Sequence, residues 1–354
     1  MSRPTQTPQA SDYPPLVYHY GGSTIPDYAL VTLKHVATRW PAPVYLLHNS
    51  PQPPEIRGVI AEDFRAWYSP DQFRAVLASS QMDGEFREGF WLHAIERFFV
   101  LSQWLEVTGN SRLLHAELDV RLFSHGDLFT RLDEIGPAVY MPRASVEQAG
   151  ANWLYCNDRD ALRLIVDEFC RRAGEGYEMQ LLARFMDDFP DRVRAVPSHT
   201  ALENADPSEV QFPVVDLRDI GMVVDVHPLG TWMLGQDRRN IPHQPVFNHF
   251  FYEELGSEKL RNIRYHYSWK NHRLEASHKG GPKYPLVALH VHSKVMRRAH
   301  SAYALALYAR LANQKFDSVV IPQKLGAYFC RVGRATRNSV YLFLKRFFSR
   351  ETSL

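Results

Sequence analysis

The stretch Ser111-Arg112-Leu113-Leu114-His115-Ala116-Glu117-Leu118-Asp119-Val120 decides how the rest of the chain is read. A short apolar run leads into two carboxylates spaced i, i+2, and an aromatic-rich helical pattern precedes it. Side chains of a strand alternate faces, so residues i and i+2 at its end point to one side. Two carboxylates at the exposed C-terminal end of a buried strand suit a hard divalent cation carrying a diphosphate. A phosphate-bearing donor needs such a cation, because negative charge builds on the leaving group as it departs. Acidic residues also follow strands as turn caps, or as partners of a neighbour such as Arg121, so the pair gains meaning only from its surroundings.

Upstream, residues 89–107 have the pattern of an amphipathic helix: Phe90, Trp91, Ile95, Phe98, Phe99, Leu101, Trp104 and Leu105 recur at helical spacing. Further back, residues 16–20 read as a buried strand running into Gly21-Gly22, residues 26–37 as a helix opened by Pro26, and residues 44–49 as a second strand. Residues 61–82 mix short helical patterns with polar turns. Downstream, 138–141 and 152–155 look extended, while 158–173 and 177–189 are helical. This alternation with short connections predicts an α/β fold with a mixed, mostly parallel sheet flanked by helices. In the second half, Val223-Val224-Asp225 precedes a glycine-flanked apolar run, 228–237, that reads as a shaped loop. Strands are expected between Ile263 and Leu274, with a turn at Lys270-Asn271. A strong apolar strand, 284–291, then ends in His290-Val291-His292-Ser293-Lys294, and the remainder from Val295 is helical.

The 354 residues are 45% hydrophobic and 23% charged, enough to bury a large core. The net charge of +2 excludes no partner by itself, but the basic residues gather only near the C-terminus, which argues against nucleic acid. Three cysteines, Cys156, Cys170 and Cys330, are far apart and form no C-x-x-C pair, so neither a disulfide framework nor a thiolate zinc site is expected. The polar, proline-rich start lacks the apolar core of a signal peptide, and no run approaches membrane-spanning length. A cytoplasmic protein is expected, either free or peripheral on the inner face of the membrane.

A Gly-Gly turn after the first strand, an acidic E-x-D after a middle strand and a late His/Lys element after another strand resemble the landmarks of GT-A glycosyltransferases. More closely, the chain is similar to a bacterial group of GT-A enzymes. The resemblance rests on Glu96-Arg97-Phe98, His115-Ala116-Glu117-Leu118-Asp119, Asp225 with Gly230 and Gly235-Gln236, and Leu289-His290-Val291-His292-Ser293-Lys294, spread over residues 15–300. The H-x-H-S-K element is its most specific part. Where the common motif is D-x-D, this chain has Glu117 in the first place, so which carboxylate touches the metal stays open.

The resemblance implies a division of labour. Residues 1–14 form a disordered segment and 15–300 a GT-A-like catalytic domain. Within that domain 15–150 bind the nucleotide and 151–300 the acceptor, and 301–354 form a helical extension. Tyr20, Gly21 and Gly22 lie near the base and ribose, where glycine lets the backbone approach a ligand. Asp119, with Glu117, holds Mn²⁺ or Mg²⁺, and His292, nearer the strand end than His290, completes the shell; imidazole suits Mn²⁺ better than Mg²⁺. Lys294 meets the departing phosphate. Arg97 binds phosphate or orients Glu117. Asp225 is the candidate general base or donor-sugar ligand. The partners implied are a nucleotide-sugar donor and a glycan or lipid-linked acceptor.

Plainer readings stand beside these roles. One of His290 and His292 fits a hydrogen-bonded core histidine, Lys294 a solvated lysine, Arg97 a buried ion-pair partner, and Asp225 a turn residue. His243, His249, His266, His272 and His278 match no zinc spacing. Between 331 and 350, six basic residues without an acidic one are interleaved with aromatics, and Val340, Leu344, Phe347 and Phe348 share a helical face. That composition fits an interfacial helix on an anionic membrane, or a terminal helix docked on the body or on a second subunit. The expected activity is metal-dependent glycosyl transfer. The alternatives are a metal-dependent phosphohydrolase acting on nucleotide sugars or phosphoesters, and a non-catalytic carbohydrate- or partner-binding protein.

Overall fold

The computed structural model describes residues 12–79, 90–123, 125–203, 210–234, 262–269, 273–292 and 294–314. Gly235-Gln236, Ser293, Cys330, His243, His249, His272 and the basic segment 331–350 lie outside the described residues, as do the first eleven. Among the described residues no helix is long and apolar enough to cross a membrane.

The N-terminal strands β1 (Leu16–Tyr20), β2 (Val44–His48), β3 (Ile60–Asp63) and β4 (Leu113–Ala116) are all parallel and lie in the order β3-β2-β1-β4. After β4 the chain turns and continues as β5 (Val120–Leu122) in a second sheet. The first sheet is completed by β6 (Val139–Pro142), β7 (Trp153–Cys156) and β8 (Val193–Val196), giving β3-β2-β1-β4-β7-β6-β8. Only β7 runs against its neighbours, pairing antiparallel with β4 and β6. The mixed, mostly parallel sheet expected from the alternation is therefore present.

Alternating side chains of the central strands feed two separate cores. Val17, Leu113, Leu154 and Cys156 point to one, and Leu16, Tyr18, Leu114, Trp153 and Tyr155 to the other. Such double-sided burial is why these strands read as continuous apolar runs. Helices α1 (Asp27–Val36), α2 (Asp71–Ser79), α3 (Phe90–Thr108), α4 (Gly126–Ile135), α5 (Arg159–Arg171) and α6 (Glu178–Asp188) cover the faces. α1 and α4 close one core, and α2, α3, α5 and α6 the other. α5 starts where Asp158 accepts from the backbone N–H groups of Asp160 and Ala161 at 3.0 and 3.3 Å, and it buries Ala161, Leu162, Ile165, Val166 and Phe169 at helical spacing. Phe169 meets Phe98 of α3 with ring centroids 5.1 Å apart.

Ordered chain begins before the expected boundary at residue 15. Tyr13 is buried against Trp40 and Phe129, with ring centroids 5.1 and 5.9 Å away. The short helices α7 (His199–Glu203) and α8 (Leu217–Ile220) lead to β9 (Val223–Val224) and α9 (Pro228–Leu234). α9 occupies the segment read as a shaped loop. Its side chains are buried throughout, so packing overrides the low helix propensity of Gly230 and Thr231.

The second sheet contains β10 (Ile263–Ser268), β11 (Arg273–His278) and β12 (Tyr284–His290) in the order β10-β11-β12-β5, with β9 parallel to β12. The two halves of the chain are thus interleaved: β5 of the first pairs with β12 of the second. The helix Ala302–Gln314 packs on β10, where the Asn313 side chain exchanges hydrogen bonds with the Tyr265 backbone at 2.9 and 2.7 Å.

His125, at the start of α4, lies 3.2 Å from the Leu286 carbonyl of β12 through Nε2 and is 2% exposed. Burial foremost, with Arg273 nearby, lowers its pKa to about 4. A folded-state pKa below the unfolded value of about 6.5 means that only the unfolded chain takes up this proton between the two values. Stability is therefore lost as pH falls from 6.5 towards 4. Linkage gives a loss of about 2 kcal/mol between pH 7 and pH 5 from this group. Urea unfolding of the wild type and His125→Gln should show their stability difference change by that amount between the two pH values. An unchanged difference would contradict the neutral buried imidazole.

Candidate active site at the junction of the two sheets

β4 stops at Ala116, and residues 117–119 form a tight turn closed by the Val120 N–H donating to the Glu117 carbonyl at 3.0 Å. The acidic pair is therefore not the tip of a single strand, as its spacing suggested. Within the turn Leu118 buries its side chain in the core. Three contacts hold the turn. The Glu117 N–H donates to the Asn152 carbonyl at 3.0 Å, the Thr32 hydroxyl of α1 donates to the Leu118 carbonyl at 2.6 Å, and the Asp119 carbonyl accepts from the Val291 N–H at 2.8 Å.

The register between the sheets supplies the third side chain. β5 pairs antiparallel with β12 so that Val120 faces His290, which places His290 beside Asp119. His290 Nε2 is 3.1 Å from Asp119 Oδ2 and 3.7 Å from Glu117 Oε2. Nδ1 of the same ring lies 2.8 Å from the Val226 carbonyl, which can only accept, so Nδ1 carries a proton in either charge state. In the neutral ring this directs the Nε2 lone pair at the carboxylates, the arrangement by which metal-binding histidines are oriented. Ligand atoms of Glu117, Asp119 and His290 all lie within 4.8 Å of one another, the one such group among the described residues. His292, the ligand expected from its place in the sequence, is not in this group. Its ring is 5.8 Å from that of His290 and tilted 72°. The strand ends at His290, so strand alternation no longer sets where His292 points.

Lys294 does reach the site. Its ammonium donates to Asp119 and sits 5.6 Å over the Tyr28 ring. The backbone there is left-handed, φ +60°, in a turn where the Lys294 N–H donates to the Val291 carbonyl at 2.8 Å. Such a conformation in a non-glycine residue costs on the order of 1 kcal/mol and marks a position held by its surroundings. Burial opposes charge on Asp119, yet Lys294 and His290 together hold its pKa well below the usual carboxylate range. Burial likewise opposes charge on His290, yet Asp119, then Glu117, raises its pKa to about 9.

Arg97, on the buried face of α3, bridges two carboxylates: Nη1 donates to Glu117 Oε1 at 2.5 Å and Nη2 to Glu178. The sequence left Arg97 between binding phosphate and orienting Glu117; the structure places its guanidinium on Glu117. Glu178, in the first turn of α6, was not singled out. Eighty-one residues separate it from Arg97, and no local pattern links them. Burial raises the Glu178 pKa despite Arg97.

Asp225 is fully buried, and its carboxylate accepts from three backbone N–H groups: Leu229 at 3.0 Å, Gly230 at 2.8 Å and His290 at 3.1 Å. It caps α9 and ties that helix to the end of β12. Three backbone donors, one of them from His290, hold the Asp225 carboxylate in place. Gly230 is needed for the same junction, because an added Cβ would collide with the His290 carbonyl and lie 2.9 Å from Asp225 Oδ2.

Tyr20, Gly21 and Gly22 stand at the C-terminal end of β1, next to β4 in the sheet. Open parallel sheets bind ligands outside such strand ends. The Tyr20 hydroxyl donates to the Thr24 carbonyl at 2.5 Å, and the Asn49 side chain donates to the Gly21 carbonyl at 3.1 Å. A Cβ at Gly21 would collide with the His93 ring.

No protein-family model and no curated protein matches the chain. Among solved structures it is similar to mouse xyloside xylosyltransferase 1 in its apo form, at 9% identity over 53% of this chain and 86% of that one, TM-score 0.36. It is similar to galactosyltransferase LgtC in complex with donor and acceptor sugar analogs, at 12% identity over 52% and 74%, TM-score 0.37. An active-site mutant of LgtC aligns at 13% identity over 69% and 95%, TM-score 0.39. These likenesses are remote, and the chemistry of the site rests on this chain's own side chains.

Gly230→Ala should push the end of β12 away from Asp225. An overpacked core position of this kind costs about 1–3 kcal/mol. Thermal melting is expected to show that loss. A variant as stable as the wild type would remove Asp225 and Gly230 from the support of His290.

Proposed function

We propose that this protein is a metal-dependent glycosyltransferase that moves a sugar from a nucleotide-sugar donor to a glycan or lipid-linked acceptor. The observation that carries the reading is the convergence of Glu117, Asp119, His290 and Lys294 at the C-terminal end of β4, beside the end of β1. Two carboxylates and one imidazole fit Mn²⁺ well and Mg²⁺ less well, since Mg²⁺ prefers an all-oxygen shell. A bound cation would neutralise charge on the diphosphate as the nucleotide departs.

The chain's own groups supply the rest. Glu117 is held by Arg97, which Glu178 anchors in turn, so its carboxylate needs little reordering on binding. His290 ligates only as the neutral ring, with Nδ1–H on the Val226 carbonyl and its backbone N–H on Asp225. Lys294 pairs with Asp119 and would meet phosphate oxygens once Asp119 turns to a cation. The backbone of Tyr20–Gly22 lies where a nucleoside can approach it. The nucleotide and the sugar are to be read from binding.

The test is a thermal-shift panel of UDP, GDP, CDP, CMP and ADP, each with and without Mn²⁺. A ligand that binds only the folded state raises stability in proportion to the logarithm of its concentration over Kd. One nucleotide should shift the wild type only with Mn²⁺. Asp119→Asn and His290→Ala should each abolish that shift with the fold intact, and His292→Ala should leave most of it. Full shifts in both Asp119→Asn and His290→Ala would remove the metal assignment. No shift with any nucleotide in the wild type would move the protein to the non-catalytic class.

A further inference from the structure

α1 presents Tyr28, Thr32 and His35 at spacings of four and three residues, which share one face of a helix. Tyr28 lies under Lys294, Thr32 holds the acidic turn, and His35 stacks on His300 with ring centroids 3.8 Å apart and planes 28° apart. Seven residues of helix set the His35 end about 10 Å from the metal-ligand end.

Arg121 of β5 belongs to that far end. It is 4% exposed, its Nη1 donates to the Ala299 carbonyl, and its guanidinium lies 4.7 Å over the Phe123 ring. Among the described residues its Nε has no hydrogen-bond partner, and neither does either ring nitrogen of His300. Among the described residues, the groups acting electrostatically on His35, Arg121 and His300 are Arg39, one another and the Tyr267 phenol, with no carboxylate among them. Burial keeps both histidines uncharged at neutral pH. A recessed guanidinium with no anion beside it among the described residues carries a desolvation cost that an incoming anion would relieve.

An aromatic ladder adjoins these cations. Tyr267 meets Trp269 with ring centroids 5.1 Å apart, and Trp269 meets Tyr303 at 5.1 Å. The Tyr267 hydroxyl is buried without a partner beside Arg121 and Arg39, whereas Trp269 is 48% and Tyr303 71% exposed. Exposed rings with polar edges offer flat apolar surface for the C–H face of a sugar and hydrogen-bonding groups for its hydroxyls.

We propose that this patch is a second ligand subsite, apart from the metal-ligand group, that takes an anionic saccharide. Its rings lie on Trp269 and Tyr303, and its carboxylate or phosphate reaches Arg39 and Arg121. The choice of a saccharide rests on the glycosyl-transfer reading. A membrane surface fits less well, since lipid headgroups meet protruding cations and Arg121 is recessed.

The experiment uses the full chain in EDTA without nucleotide, so that the metal-ligand group plays no part. Isothermal titration compares hexagalacturonate with maltohexaose, and sedimentation with phosphatidylglycerol vesicles runs alongside. Hexagalacturonate should bind at least ten-fold more tightly than the neutral hexamer. Trp269→Ala and Arg39→Gln should each reduce that affinity at least ten-fold while the Mn²⁺-dependent nucleotide shift persists. Absence of acidic-glycan binding, equal affinity for both hexamers, or affinity unchanged in both variants would overturn the subsite. So would vesicle binding lost in the same variants without any glycan preference. A failed subsite with an intact nucleotide shift leaves the transferase reading standing, and the converse result removes that reading alone.

Discussion

The antiparallel register of β5 on β12 is the constraint on which the candidate site depends. Val120 faces His290, and the Asp119 carbonyl takes the Val291 N–H. A slip of one residue would turn every side chain of β5 to the other face. Arg121 would then exchange places with Val120 and Leu122, so core packing and site geometry specify the same alignment. Residues 171 apart in sequence meet because of this pairing. The support is distributed: Thr32 of α1 and Asn152 beside β7 hold the turn, and Asp225 with Gly230 of α9 holds the strand end.

Charge balance decides what this arrangement can do. Asp119 is buried, and two cations beside it keep it ionised. Arg97 is buried between Glu117 and Glu178, whose opposing charges sustain it against desolvation. Pairs of this kind add little net stability, because desolvation offsets the attraction, and removing one partner leaves the other charge exposed to that penalty. They fix the carboxylate positions, which the proposed function needs for a cation and a diphosphate. Lys294, in a left-handed turn, pairs with Asp119, and under the proposed function phosphate oxygens are its alternative partner.

Much of the fold was legible because burial writes itself into pattern. β1, β2, β12 and α3 are long enough for apolar periodicity to show, and α1, α5 and α6 begin and end near their expected limits. The short elements were not legible. β3, β5 and β8 have three or four residues each, too few for alternation to register, and β3 is largely exposed. The acidic pair was singled out by residue type and spacing, and Lys294 and Arg97 through the resemblance; the structure brings all four side chains together. That His290 and not His292 joins Glu117 and Asp119 was not legible, because it depends on where β12 ends, and Glu178 was hidden by an ion pair that only tertiary packing creates. Asp225 was found for its neighbourhood, but the three backbone donors that hold its carboxylate are not disclosed by composition.

The most direct test of the account is anomalous diffraction at the manganese edge from crystals soaked with Mn²⁺ and the nucleoside diphosphate that stabilises the protein. The account predicts one strong peak within coordination distance of Asp119 and His290 Nε2, with Glu117 in the same shell and the Lys294 ammonium moved from Asp119 to the phosphates. An intact Lys294–Asp119 pair, with manganese absent or bound elsewhere, would contradict it.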